Sequence, residues 1–212
     1  MKPSRFQAGC VGFLALVLVT FFSGPSTAFA LPTLNVQNGI LMGANGVSVG
    51  STLYNVQFLD GTCAALYTGC DAVADFTFQD LTSVQAASQA LLDQVLLNQV
   101  PLGNFDTEPH LTNGCTDNTL CNIATPYGLF PATQFTLQYI AQNTTHPLND
   151  FIFSDFGNVT FDSSPVSIFT YAVWSPAPTS VPEPSTAVLL ISGLLGLGGY
   201  EWRRRVASTQ IR

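Results

Sequence analysis

Between residues 31 and 180 the chain has no lysine and no arginine. All six basic residues lie at the ends: Lys2 and Arg5, then Arg203, Arg204, Arg205 and Arg212. The same stretch carries ten Asp and Glu108, so its formal charge is −11 against −7 for all 212 residues. Nucleic-acid binding needs Lys and Arg to neutralise phosphates, so nucleic acid is excluded as a partner of this segment. Phosphate clamps, arginine fingers and Schiff-base lysines are excluded with it. No G-x-S-x-G elbow occurs, no cysteine pair has C-x₂-C spacing, and only two histidines exist, His110 and His146. Zinc and haem attachment are therefore disfavoured.

What is present is concentrated first at the two ends. Lys2 and Arg5 precede an apolar run from Val11 to Phe22, and Ala28-Phe29-Ala30 follows as a small-x-small pattern. This is the layout of a secretory signal cut after Ala30, with signal peptidase and the secretion machinery as partners. Cys10 precedes the apolar run and so cannot serve as a lipidated cysteine after it. At the other end a Pro/Ser linker, Ser175–Val181, leads to Pro182-Glu183-Pro184, then to the apolar, Gly-rich Ala187–Tyr200 and the triplet Arg203-Arg204-Arg205. Fourteen residues rise about 21 Å as a helix, short of a ~30 Å hydrocarbon core. Even so, a short membrane helix is expected here, with the arginines on the cytoplasmic side.

Val181-Pro182-Glu183-Pro184-Ser185-Thr186, the Leu/Gly-rich segment and the arginine triplet resemble the PEP-CTERM sorting signal of Gram-negative bacteria that make extracellular polysaccharide. The resemblance implies recognition of Pro182, Glu183 and Pro184 by an exosortase, passage through an intermediate anchored transiently in the inner membrane, and delivery to the cell envelope or exterior. The implied organisation is a signal peptide at 1–30, an exported domain at 31–174, a linker at 175–181, the sorting signal at 182–205 and a cytoplasmic tail at 206–212. The segment Gly43–Cys70 also resembles a stretch of uncharacterised PEP-CTERM cargo proteins, which implies no activity.

The exported segment has four cysteines, Cys63, Cys70, Cys115 and Cys121. Four allow three pairings. Short spacing and Gly/Asn/Thr-rich intervening residues favour Cys63 with Cys70 and Cys115 with Cys121. Thr82-Ser83-Val84-Gln85 has a capping-box pattern, and Val84, Ala87, Leu91 and Val95 recur at helical spacing. One amphipathic helix is predicted over about 82–98, stopped by Pro101 and Gly103. Asn45-Gly46 reads as a hairpin turn between Gly39–Met42 and Val47–Val49. Further strands are predicted at Thr52–Leu59, Ala74–Phe78, Phe135–Ile140, Phe151–Phe153 and Ile168–Trp174, with Pro101–Pro131 as a long loop. The expected class is α+β: a mainly antiparallel sheet with one principal helix, plus terminal signal and membrane helices.

For function, the leading expectation is an exported surface or exopolysaccharide-associated protein, structural or adhesive and non-catalytic. A second reading is a secreted module binding carbohydrate or calcium through exposed Tyr67, Tyr127 or Trp174 and nearby acids. Calcium is the cofactor that Asp71, Asp75 and Asp80, or Asp106, Glu108 and Asp117, would suit, although neither run matches the calcium-loop pattern. A third is an extracellular hydrolase using His110 or His146 with an aspartate.

Overall fold

A computed structural model describes residues 31–130 and 133–178. Tight turns separate the first strands. β1 (Thr33–Gln37) passes to β2 (Ile40–Val49) through Asn38 and Gly39, both at positive φ, and β2 turns into β3 (Thr52–Leu59) at Gly50. A helical excursion follows, with the single-turn α1 (Cys63–Leu66), then α2 (Leu81–Ala90) and a small ribbon of β4 (Asn98–Gln99) and β5 (Gly103–Asn104). A second meander, β6 (Leu120–Leu129), β7 (Phe135–Thr144) and β8 (Phe151–Asn158), precedes β9 (Phe169–Pro176).

The last strand does not add to an edge. The sheet order is β1-β2-β3-β9-β6-β7-β8, so β9 lies between the two meanders. It runs antiparallel to β3 along Tyr54–Leu59 and parallel to β6 along Asn122–Ala124; the other pairings in the sheet are antiparallel. Strand alternation sends successive β9 side chains to opposite faces. Ala172 and Trp174 join the larger core, in which Leu41, Val47, Phe58 and Ile123 pack with Val84, Ala87, Leu91 and Val95 of the helical segment. Tyr171 joins a smaller core on the other face with Tyr67, Phe76, Ala124 and Ile140, next to the Cys63–Cys70 disulfide.

Several expectations are corrected. The helix cap comes two residues early, at Asp80 rather than Thr82: the Asp80 carboxylate accepts from the Ser83 backbone N–H at 2.9 Å and from Ser83 Oγ at 2.7 Å. It also ends early. After Ala90 the chain widens to a π-turn over Leu91–Val95, closed by Leu96 N–H to Leu91 O at 2.8 Å, and the buried stripe survives that change. Asn45-Gly46 is not a hairpin turn. β2 runs straight through it with a bulge between Ala44 and Val47, where Gly46 takes φ 75° and its N–H donates to Asn55 Oδ1.

Ala74–Phe78 is not a strand: Val73–Asp75 form a 3₁₀ turn, and Phe76 and Phe78 enter different cores. The expected loop from Pro101 to Pro131 contains β6, a ten-residue interior strand. The expected terminal signal and membrane helices fall outside the described residues. Among the described residues no helix is long and apolar enough to cross a membrane, so the described fold, against the expected architecture, has no transmembrane helix.

Candidate functional site

The acidic side chains are distributed to separate local tasks rather than gathered. Asp75 accepts from the backbone N–H groups of Asp71 and Ala72 at 3.1 and 3.0 Å, and Asp80 caps α2. Asp117 accepts from the N–H and hydroxyl of Thr119 and from Leu120 N–H, which holds its carboxyl below the usual range. Among the described residues no three His, Cys, Asp or Glu side chains are placed to hold a metal ion. The calcium groupings read from the sequence are thus not assembled among the described residues, and backbone amides occupy the carboxylates of Asp75, Asp80 and Asp117.

Two corners hold partly buried carboxyls. At the first, Asp60 Oδ1 accepts from Ser163 Oγ at 3.0 Å, and Ser163 Oγ accepts from Gly61 N–H at 3.1 Å. Burial pushes the Asp60 carboxyl up; the Ser163 bond opposes this and nearby Asp162 adds to it. Gly114 closes the corner at φ +89°, and a Cβ there would lie 2.5 Å from Thr170 Oγ1 and 2.6 Å from Asp60 Oδ1. Ser163 is fully buried, so the pair ties the Asp60 loop to the 162–164 loop instead of presenting a nucleophile. Nothing in the sequence motif marks Ser163; only the long-range fold brings it to Asp60.

At the second corner the carboxyls of Asp106 and Asp150 are neighbours, and burial pushes both upward. Thr144 anchors Asp150, donating from its N–H at 2.8 Å and its hydroxyl at 3.0 Å. The sequence placed Asp106 with Glu108 and Asp117; its actual partner is 44 positions away.

The expected ring-stacking and catalytic side chains fail on placement. Tyr67 is 6% exposed and gives its hydroxyl to Ala172 O at 2.8 Å; Trp174 is 5% exposed. Both are core residues packed against Phe76 and Phe78 respectively, unavailable to a polysaccharide. Tyr127 is partly buried against the larger core. His110 sits in the 3₁₀ turn Pro109–Leu111 and His146 on an exposed turn, and neither imidazole bonds to a carboxylate among the described residues. The histidine–aspartate arrangement required for the hydrolase reading is absent from these positions.

Cys63–Cys70 and Cys115–Cys121 are disulfide-bonded. An exposed aromatic group that sequence reading passed over lies at one end of the sheet. Phe130, Phe135 and Phe156 line an apolar groove of about 340 Å³ with Thr133. The Phe130 and Phe156 rings meet edge to face at 5.8 Å. The available signal was strand period: Phe156 and Phe135 belong to neighbouring strands and share a face.

The sorting residues Pro182, Glu183, Pro184, Arg203, Arg204 and Arg205, and the cleavage residues Ala28 and Ala30, lie outside the described residues. Residues 180–205 match the PEP-CTERM protein-sorting motif. The motif identifies the chain, in general terms, as an exosortase-processed surface protein carrying a PEP-CTERM signal. No curated protein and no solved structure matches the chain.

Proposed function

We propose that residues 31–174 form an exported domain that is released to, or held at, the cell envelope and serves a structural or adhesive role there without catalysis. The sorting motif at residues 180–205 carries this reading. In the proposed organisation residues 1–30 are a signal removed after Ala30, residues 175–181 are a linker, and Pro182-Glu183-Pro184 is the site that exosortase recognises.

The domain's physical character supports an extracytoplasmic setting. Two disulfides close loops with sequence separations of 7 and 6, a construction that persists in oxidising compartments. Eleven acids without one lysine or arginine give a surface that stays strongly hydrated and repels like-charged polymer, so association with polysaccharide would favour neutral chains. Fractionation of producing cells tests the reading: the wild type should be found in the envelope or medium, and Glu183→Ala should accumulate as an unprocessed precursor. A wild-type protein that remains in the cytoplasm would refute it.

A further inference from the structure

The domain contains two Asn-x-Thr tripeptides, Asn143-Thr144-Thr145 and Asn158-Val159-Thr160. Such tripeptides are acceptors for N-linked glycans only where the asparagine amide can be reached. The fold separates the two. Asn143 is fully buried inside β7, and its Nδ2 donates to Phe105 O at 2.7 Å. Asn158 ends β8, the outermost strand on its side of the sheet. Its Oδ1 accepts from Thr160 N–H at 2.9 Å and from Thr160 Oγ1 at 2.8 Å, and Phe161 N–H closes the turn on Asn158 O at 3.0 Å. These bonds fix the carboxamide by its oxygen, while Nδ2 donates to no group among the described residues.

The surroundings of Asn158 supply a second argument. Phe156 stands two residues earlier on the same strand face and is 60% exposed; Phe135 is the cross-strand partner of Asn158 and is 45% exposed. With Phe130 these rings form the apolar groove, a cluster of three exposed aromatics on one surface. A sugar attached at Asn158 would lie over Phe156 and Phe135, where the C–H face of a pyranose ring packs well on an aromatic face.

We infer that Asn158 is an N-glycosylation site whose first sugar covers the Phe130/Phe135/Phe156 groove. The donor class is a polyprenyl-pyrophosphate-linked glycan presented by a glycosyltransferase outside the cytoplasm. Asn158 Nδ2 attacks the anomeric carbon, a C–N bond forms, and the anomeric C–O bond breaks. Polyprenyl pyrophosphate departs with the electron pair, and the Nδ2 proton passes to a base of the transferase; no redox change is involved. This inference rests on the exported reading above, because the donor is met only after export.

The test is mass spectrometry of the mature protein purified from producing cells, with Asp-N peptides replacing tryptic ones. A carbohydrate mass increment is expected on the peptide carrying Asn158 and none on the peptide carrying Asn143. The increment should vanish in Asn158→Gln and in Thr160→Val and persist in Thr160→Ser, which keeps the hydroxyl. Enzymatic removal of the glycan should increase binding of an apolar fluorescent dye, and Phe156→Ser should suppress that increase. An unmodified Asn158, or a glycan on Asn143, overturns the inference. The termini of the same sample report on export separately: processed termini with a bare Asn158 would leave the exported reading intact and remove only this one.

Discussion

Trp174 Nε1 donates to Thr125 Oγ1 at 3.2 Å, linking β9 to β6 beside the parallel seam of the sheet. The indole also packs on Phe78 at 5.4 Å between ring centroids and on Tyr54 at 6.4 Å. Since β9 is both the last strand and the one that joins the two meanders, this contact sits where the fold is completed. Trp174→Ala should cost about 3–5 kcal/mol, the usual range for removing a large buried aromatic. Thr125→Val should cost about 1–3 kcal/mol, because the buried indole N–H loses its acceptor. Urea unfolding of the 31–178 region, followed by circular dichroism, measures both; equal small losses would argue against β9 as the joining element.

The disulfides should stabilise by constraining the unfolded chain. Loops of this length give about 2–3 kcal/mol each in the chain-entropy model. Cys63→Ser/Cys70→Ser should affect the smaller core most, since both cysteines pack with Tyr67 and Phe76 there. Reduction of the wild type should produce a loss comparable to that of this double variant and of Cys115→Ser/Cys121→Ser added together. Denaturation midpoints with and without reductant provide the check, and no shift on reduction would contradict the structural role.

Stability should depend on pH in two opposite ways. Asp60, Asp106 and Asp150 titrate above the ordinary carboxylate value when folded, because burial disfavours their charge. The folded state therefore holds protons more tightly than the unfolded one, and stability rises as pH falls toward about 4. Asp80, Asp117 and Asp162 titrate below the ordinary value through bonds from Ser83, Thr119 and Ser164. Their contribution is present above about pH 4 and is lost as pH falls further. Thermal midpoints should thus pass through a maximum near pH 4–5, and Asp106→Asn should raise the midpoint at pH 7 and flatten the rise. A monotonic fall from pH 7 downward would contradict the paired-carboxyl account.

The absence of Lys and Arg makes a simple prediction about proteolysis. Trypsin should leave residues 31–178 in one piece even after reduction in urea, whereas chymotrypsin should cut the unfolded form readily at its many Phe and Tyr residues. Gel electrophoresis of the digests distinguishes this from ordinary folded-state protection, which urea would abolish.

The contrast between what could and could not be read in advance follows from the range of the interactions. Val84, Ala87, Leu91 and Val95 were legible because helical period is local, and all four are buried. Asp80 was missed as the cap because Thr82 offered a competing box two residues on, and only the observed hydrogen bonds decide between them. Asn45-Gly46 misled because the positive φ that suits a hairpin turn equally suits a bulge; the true turns at Asn38-Gly39 and Gly50 have the same chemistry. β6 was hidden by Pro126 and Gly128, residues that argue against an interior strand. It tolerates them at a bulge against β7, beyond the Asn122–Ala124 segment that pairs with β9. The Asp60–Ser163 and Asp106–Asp150 contacts span 103 and 44 positions, so no local pattern pointed to them.

The claim on which the account depends most is that the chain is exported and processed at its sorting motif. The direct measurement is the mass of both terminal peptides of the protein recovered from the envelope or medium of producing cells. The account predicts a mature chain beginning at Leu31 and lacking Arg203, Arg204 and Arg205, with both disulfides formed. A recovered chain that begins at Met1 and ends at Arg212 would contradict it.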